Sequence, residues 1–413
     1  MNNLPVTTAD IRRAAAAIAG AVGRTPTIAA PGLSELAGCE IYLKLETLHR
    51  TGSFKERGAL NKLLTLGPAQ RRAGVVAMSA GNHAQGVAYH AQRLGVPATI
   101  VMPEGTPFIK IERTEAYGAN VVLKGDSLVA AREAAQTLAE ENGLAFVHPY
   151  DDPAVIAGQG TIALEFLADQ PDLDTIVVPI GGGGLISGIA VAAKSLSPRI
   201  DIVGVQATLY PSMYRLMRGE DPGPAADAPT LAEGIAVKEP GQMTRHIVEA
   251  LVSDILLADE AMLEDAVEIL LDRQKLVVEG AGAAGLAAIL AEPARFSGQR
   301  VGIVVSGGNV DVRLLASILM RGLVREGRLV RLRAELPDVP GALSRISGII
   351  GKHAGNIVEV HHQRLFHDTS VKRAELDVVV ETQNRRHVEV LIAALNAAGF
   401  PTRLLLGAAD EDG

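Results

Sequence analysis

Between about Ile41 and Ser306 the chain alternates short β-rich apolar runs with Ala-rich helical stretches, and this constrains its fold more than any other feature. GVVAMSA, ATIVMPE, ANVVLKG, TIVVPIG, DIVGVQA and VGIVVSG carry strands, with strand-like EIYLKLE ahead of them. The alternation predicts an α/β fold, a mostly parallel sheet covered by helices on both faces. Ligands of such sheets gather at the carboxyl ends of the strands. Three glycine turns lie there: Ser79-Ala80-Gly81-Asn82-His83, Gly181-Gly182-Gly183-Gly184-Leu185 and Ser306-Gly307-Gly308-Asn309.

After Met320 the pattern changes. Arg-rich residues 321–329 read as a linker, followed by strand RLVRLRAEL, turn PDVPG, helix ALSRISGIIGKHAG, strands NIVEVHHQRL and KRAELDVVVET, helix RRHVEVLIAALNAAG and strand FPTRLLL. This βαββαβ order over residues 330–407 is the ferredoxin-like split βαβ unit. DPGPAADAPT, residues 221–230, reads as a surface loop.

A length of 413 residues gives room for about two or three domains. One cysteine, Cys39, excludes an intramolecular disulfide framework and suits a reducing compartment, so a cytoplasmic protein is expected. Acidic and basic residues are interspersed at a formal charge of −8, which offers no footprint for nucleic acid or anionic lipid. Arg12-Arg13 before AAAAIAGAV has the outline of a signal peptide, but alanine is weakly apolar and Asp10 precedes the arginines. A surface helix beginning near Ala9, capped by Thr8, is the expectation. No apolar run reaches membrane-spanning length without charge or glycine.

Chemistry concentrates on Lys55, in Thr51-Gly52-Ser53-Phe54-Lys55-Glu56-Arg57-Gly58-Ala59. A lysine on a glycine-bracketed strand-to-helix turn beside an aromatic ring suits an amine that forms a Schiff base. Gly181 to Gly184 suit a phosphate, because glycines let backbone N–H groups at a helix start approach a dianion. A dinucleotide turn there fails on spacing, since Ile186 or Ser187 stands where a third glycine belongs. Gly280-Ala281-Gly282-Ala283-Ala284-Gly285 does match GxGxxG, but its following strand lacks the ribose-binding acid, and small residues packing a helix on the sheet explain it equally well. Ser79 to His83 can clamp a carboxylate, although a histidine in His83's place is more often structural. Lysine and glycine turns together indicate pyridoxal phosphate.

TGSFKERGA, SAGNHAQG, GGGGLISG, AEGIAV and SGGN stand in the order and rough spacing of the fold-type II pyridoxal phosphate enzymes, and over about Thr25 to Leu319 the set resembles the threonine dehydratases, or threonine ammonia-lyases. The resemblance implies a tryptophan synthase β-like catalytic unit, residues 1–320, with a small subdomain at about 48–147 inserted in a large one. It implies Lys55 as the Schiff-base lysine, Phe54 against the ring, Asn82 on the ring hydroxyl, Gly181, Gly182, Gly183, Gly184 and Leu185 on the phosphate, and Ser306 on the ring nitrogen. Ser79, Ala80, Gly81, Asn82 and His83 would face the substrate. A serine at the ring nitrogen makes a moderate electron sink, which favours β-elimination over transamination. Ala80 stands where racemases of the family carry a serine. Gln206 to Ser212 hold no carboxylate where relatives bind a divalent cation, so that cofactor stays open.

Downstream, the βαββαβ order, Asp338-Val339-Pro340-Gly341-Ala342-Leu343 and Gly355-Asn356-Ile357 resemble an ACT domain. That resemblance implies a regulatory site at Asp338, Gly341, Ala342, Leu343, Asn356 and Ile357 for a branched-chain amino acid, or a dimerisation module without ligand. The implied activity is elimination of L-threonine to 2-oxobutanoate and ammonia, toward isoleucine, in a homodimer or homotetramer. L-serine dehydratase, threo-3-hydroxyaspartate ammonia-lyase, serine racemase and an amino-acid-sensing binding protein are the alternatives.

Overall fold

The computed structural model describes residues 4–223, 228–363 and 373–405. Residues 224–227 of the expected surface loop, 364 and 365 of strand NIVEVHHQRL, Lys372 of the next strand and residues 406–407 of the last unit lie outside them. The chain divides into two compact units, residues 1–310 and 311–413.

Among the described residues, the first unit holds ten strands: β1 (Thr27–Ala29), β2 (Glu40–Leu45), β3 (Val75–Met78), β4 (Ala98–Met102), β5 (Asn120–Leu123), β6 (Ala145–Phe146), β7 (Thr175–Pro179), β8 (Asp201–Ala207), β9 (Asp254–Ala258) and β10 (Arg300–Val305). They form two sheets rather than one. The larger has the order β1-β2-β10-β7-β8-β9, and the smaller β5-β4-β3-β6. Of these ten, only β1 runs antiparallel to its neighbour. Because β2, β10 and β7 are adjacent and parallel, the segments leaving them emerge side by side at one end of the sheet. Those segments carry Lys55, Ser306 and Gly181.

The helices obey local chemistry. Asp152 opens the helix Pro153–Asp169 by accepting from the N–H groups of Ala154 and Val155, with Pro153 at the first helical position. The first helix, Thr8–Ile18, is capped by Thr7 rather than Thr8: Thr7 and Asp10 bond reciprocally across its first turn. All of Gly280 to Ile289 is buried in the helix Gly280–Ala291. A Cβ on Gly285 would press on Ile303 of β10, and one on Gly282 on the Gly307 carbonyl, so the GxGxxG glycines serve close packing of that helix.

Beneath the helix Lys55–Leu64 lies a buried charge network. Arg57 is 1% exposed and Glu46 and Lys44 0%. The Arg57 guanidinium donates to both Glu46 oxygens at 2.7 and 2.9 Å and to both Glu165 oxygens at 2.6 and 2.9 Å. Lys44 Nζ donates to Glu165 at 2.8 Å, and His49 Nε2 lies 2.9 Å from Glu46. Two cations face two carboxylates, which ties β2 and the helix Pro153–Asp169 to the helix that Lys55 begins.

In the second unit the helix Val312–Arg325 occupies residues expected to begin the linker, burying Ile318 and Gly322. Then come β11 (Leu329–Pro337), the helix Ala342–Lys352, β12 (Asn356–Gln363), β13 (Arg373–Glu381), the helix Arg385–Ala397 and β14 (Thr402–Leu405). The antiparallel sheet has the order β12-β13-β11-β14. Leu332, Leu376, Ile346, Leu391 and Phe400 form its core with the two helices. On the opposite sheet face Asp377 accepts from Arg331 and Arg333, which hold its carboxyl below the ordinary range although burial works the other way.

Candidate active site

Lys55 is the first residue of its helix, and the turn before it is stitched to the turn after β10. Phe54 N–H donates to the Ser306 carbonyl at 3.0 Å, Gly308 N–H to the Gly52 carbonyl at 2.9 Å, and Ser53 bridges Gly307 in antiparallel fashion. The amine is half-buried; Nζ donates to the Pro149 carbonyl at 2.8 Å and lies 5.1 Å from the Phe54 ring centroid. Burial lowers its pKa to about 8, against the opposing charge of Glu279.

Asn82 begins the helix Asn82–Leu94, arriving from the smaller sheet. Its Nδ2 donates to Glu279 Oε1 at 2.7 Å, and its Oδ1 accepts from Asn309 Nδ2 at the same distance. Asn309 Nδ2 also reaches the Thr51 carbonyl at 2.6 Å, closing a ring of contacts around the Lys55 turn. Burial raises the Glu279 pKa to about 7, with the Asn82 bond opposing it. In the same turn Ser79 Oγ accepts from Gly81 N–H at 3.1 Å, and half-buried Ala80 packs against the core around the smaller sheet. His83 is turned inward: it is 3% exposed, 2.9 Å from the Val147 carbonyl, and burial followed by the Lys55 charge lowers its pKa to about 3. It is a neutral core histidine.

The Gly181–Leu185 turn leads into the helix Gly184–Leu196. Among the described residues, the N–H groups of Gly184, Leu185 and Ile186 have no backbone acceptor, as expected for a first helical turn. Gly183 adopts φ +95°, open to glycine, and a Cβ on Gly182 would enter the Tyr150 ring. Tyr150 is held by its hydroxyl on the Glu239 carbonyl at 2.9 Å and edge-on to His148 at 4.7 Å. A helix N-terminus stripped of Cβ atoms, a half-buried amine of lowered pKa and Ser306, 2% exposed, are the donors that a phosphorylated aldehyde with a basic ring nitrogen needs. The residues present fit pyridoxal phosphate.

Phe54 and Ser306 therefore meet through a direct backbone bond, Asn82 joins the Lys55 turn through Asn309, and the glycine turn joins them through the 148–151 segment. Glu279, Asn309, Tyr150 and Thr244 are site residues that the motif reading left without a role. Asn309 was within reach as the last residue of SGGN, and Glu279 as the acid just ahead of GAGAAG. Tyr150 and Thr244 carry no sequence signal. Gln206 donates to the Ile180 carbonyl and accepts from Tyr214 N–H, and among the described residues no group of three or more His, Cys, Asp or Glu is placed to hold a metal ion.

In the second unit Gly341, at φ +86°, opens the helix Ala342–Lys352; Ala342 is buried and Leu343 is 39% exposed. Asp338 follows β11, whose end pairs Pro337 with Arg373, whereas Asn356 pairs with Glu381 at the far end of β13. Asp338 and Asn356 thus lie at opposite ends of one sheet, roughly 25 Å apart by strand rise. Ile357, opposite Val380, goes with Asn356. The six expected regulatory residues do not converge within one unit.

Residues 18–307 match the family model described as pyridoxal-phosphate dependent enzyme, and residues 330–400 that of the ACT domain. An L-threonine ammonia-lyase of Thermotoga maritima is 45% identical over 400 residues, which cover 97% of this chain and 100% of that protein. One of Geobacter sulfurreducens is 45% identical over 384 residues, 92% of this chain and 94% of the other. Among solved structures, a threonine deaminase from T.th. superposes with a TM-score of 0.70 at 42% identity, covering 74% of this chain and 99% of that one. Maize serine racemase superposes at 0.72 with 34% identity, covering 78% and 99%.

Proposed function

Because the chain belongs to the pyridoxal-phosphate dependent enzymes and carries an ACT domain after its catalytic unit, we propose that it is a threonine ammonia-lyase, converting L-threonine to 2-oxobutanoate and ammonia. The observation that carries this reading is the Lys55 amine, half-buried, lowered in pKa to about 8 and bonded through its turn to the Ser306–Asn309 turn.

When bound, pyridoxal phosphate supplies a conjugated ring that withdraws electrons from the substrate's α-carbon. The N–H groups of Gly181 to Leu185 would hold its phosphate, Asn82 its ring hydroxyl and Ser306 its ring nitrogen, with Phe54 beside the ring. Lys55 Nζ is the amine that would hold the group's aldehyde, and when free it is placed to take the substrate's α-proton, a positioned-base effect of roughly a hundredfold to ten-thousandfold. The Ser79–Asn82 turn holds the substrate carboxylate. Loss of the α-proton and β-hydroxyl amounts to loss of water, and hydrolysis of the released enamine returns it, so threonine yields one keto acid and one ammonia.

L-serine dehydratase, threo-3-hydroxyaspartate ammonia-lyase and serine racemase would use the same Lys55. A methyl group is worth only about 1–3 kcal/mol of discrimination in an apolar pocket. Ala80 offers no second proton donor, which favours elimination over racemisation. An amino-acid-sensing protein would have no use for a lysine so placed, and would be colourless. For the ACT unit the reading is feedback by isoleucine or valine at Asp338, Gly341, Ala342 and Leu343, with a coupling of about 1–3 kcal/mol, in a cytoplasmic homodimer or homotetramer. A keto-acid assay across threonine, serine and hydroxyaspartate, with and without isoleucine or valine, tests this. Threonine is expected to have the highest kcat/KM; a higher value for either competitor refutes the substrate, and no response to isoleucine or valine refutes the effector.

A further inference from the structure

The glycine cup has a conspicuous brace behind it. The Gly182 carbonyl, which would repel a phosphate if it faced the cup, is instead engaged by Thr244 Oγ1 at 2.7 Å and by Gly241 N–H at 3.3 Å. Thr244 is fully buried. Its hydroxyl has one proton, and the alternative acceptor, the Gly241 carbonyl, lies farther off at 3.1 Å. Thr244 is held in turn by Asp151, whose carboxylate accepts from the N–H groups of Gln242 at 3.0, Met243 at 3.0 and Thr244 at 3.1 Å. A Cβ on Gly241 would collide with that carboxylate, and one on Gly183 with the Thr244 side chain. Asp151 belongs to the same three-residue run as Pro149, the acceptor of Lys55 Nζ, and Tyr150, the ring beneath Gly182.

We propose that Thr244, set by Asp151, is a positioning residue that keeps the Gly182–Gly183 peptide turned so that the cup offers a phosphate only N–H groups. This rests on the cofactor reading above and goes beyond it in assigning the polarity of the cup to residues outside the glycine turn. Without the hydroxyl, only the longer Gly241 N–H bond restrains the peptide between two glycines, which can then rotate and bring its carbonyl toward the anion.

The test uses full-length protein stripped of cofactor and titrated with pyridoxal phosphate and with pyridoxal, which keeps the aldehyde but lacks the phosphate. Visible absorbance reads binding, and melting temperature checks integrity. Thr244→Val should weaken pyridoxal phosphate by about tenfold to a hundredfold, the size of one hydrogen bond to a charged group, and leave pyridoxal unchanged. Thr244→Ser should restore wild-type binding, and Asp151→Asn should show the same phosphate-selective loss at smaller size. Equal weakening of both compounds in Thr244→Val, or no weakening of either, overturns the proposal. Should Thr244→Val not fold, Asp151→Asn decides by the same selectivity. Wild-type protein that binds neither compound overturns the cofactor reading itself, a result distinct from a failure of Thr244 alone.

Discussion

Replacing Arg57 by leucine should cost the first unit about 3–5 kcal/mol, the usual penalty for removing one partner of a buried ion pair. Six hydrogen bonds leave with the guanidinium: four to Glu46 and Glu165, and two to the hydroxyls of Thr161 and Thr25. Glu46, 0% exposed, would keep only Thr25 and His49, so one negative charge would sit uncompensated in the core. The double variant Arg57→Leu/Glu46→Leu removes one charge of each sign and leaves Lys44 paired with Glu165. It should recover most of the loss, since buried pairs replaced by apolar groups of similar volume are often neutral. Urea titration of the holoenzyme at fixed cofactor concentration, followed by the visible absorbance of the bound cofactor, reads this unit. Acid adds a second handle. Burial alone would raise the Glu46 pKa, but Arg57 and then His49 outweigh it and hold the carboxyl well below the ordinary range. Its contribution is therefore complete above the unfolded value near 4.5 and is lost as the pH falls toward the depressed one. Glu46→Gln should flatten that acid limb. A loss below about 1 kcal/mol for Arg57→Leu, or a double variant no more stable than the single, would refute the reasoning.

Gly182→Ala should abolish retention of cofactor through dialysis, because the added carbon meets the Tyr150 ring, and Gly182→Ala/Tyr150→Ala should regain part of it; cofactor content by absorbance decides. Capture of free pyridoxal by stripped enzyme should accelerate with pH through about 8, because only neutral Lys55 is nucleophilic. Glu279→Gln removes a charge that raises the lysine pKa and should move that midpoint to lower pH in stopped-flow records; a shift upward would contradict the assignment.

Legibility followed the range of the interactions. Six of the parallel strands announce themselves as β-rich runs, three of them ending in the glycine turns, whereas β9, DILLA, is a short leucine-rich run of the kind a buried helix also shows. Periodicity carries no information on pairing, so the division of the strands into two sheets had to come from the resemblance. The Arg-rich stretch after Met320 looked like a linker because its charges hid the Ile318–Gly322 buried stripe of a helix. At the site, Lys55 and the glycines have backbone demands that few other residues meet, and they are visible in the sequence. Glu279, Tyr150 and Thr244 act on them from 32 to 224 residues away along the chain, through contacts that only the folded chain creates. The same limit separates Asp338 from Asn356: both belong to motifs, but strand register puts them at opposite ends of the sheet.

The most direct measurement is the site of covalent attachment. Borohydride reduction of the substrate-free holoenzyme, proteolysis and mass spectrometry should find the pyridoxyl phosphate mass on the peptide containing Lys55, and Lys55→Ala should carry no such mass and release no keto acid from threonine. A label on another lysine, or threonine turnover without Lys55, would contradict the assignment.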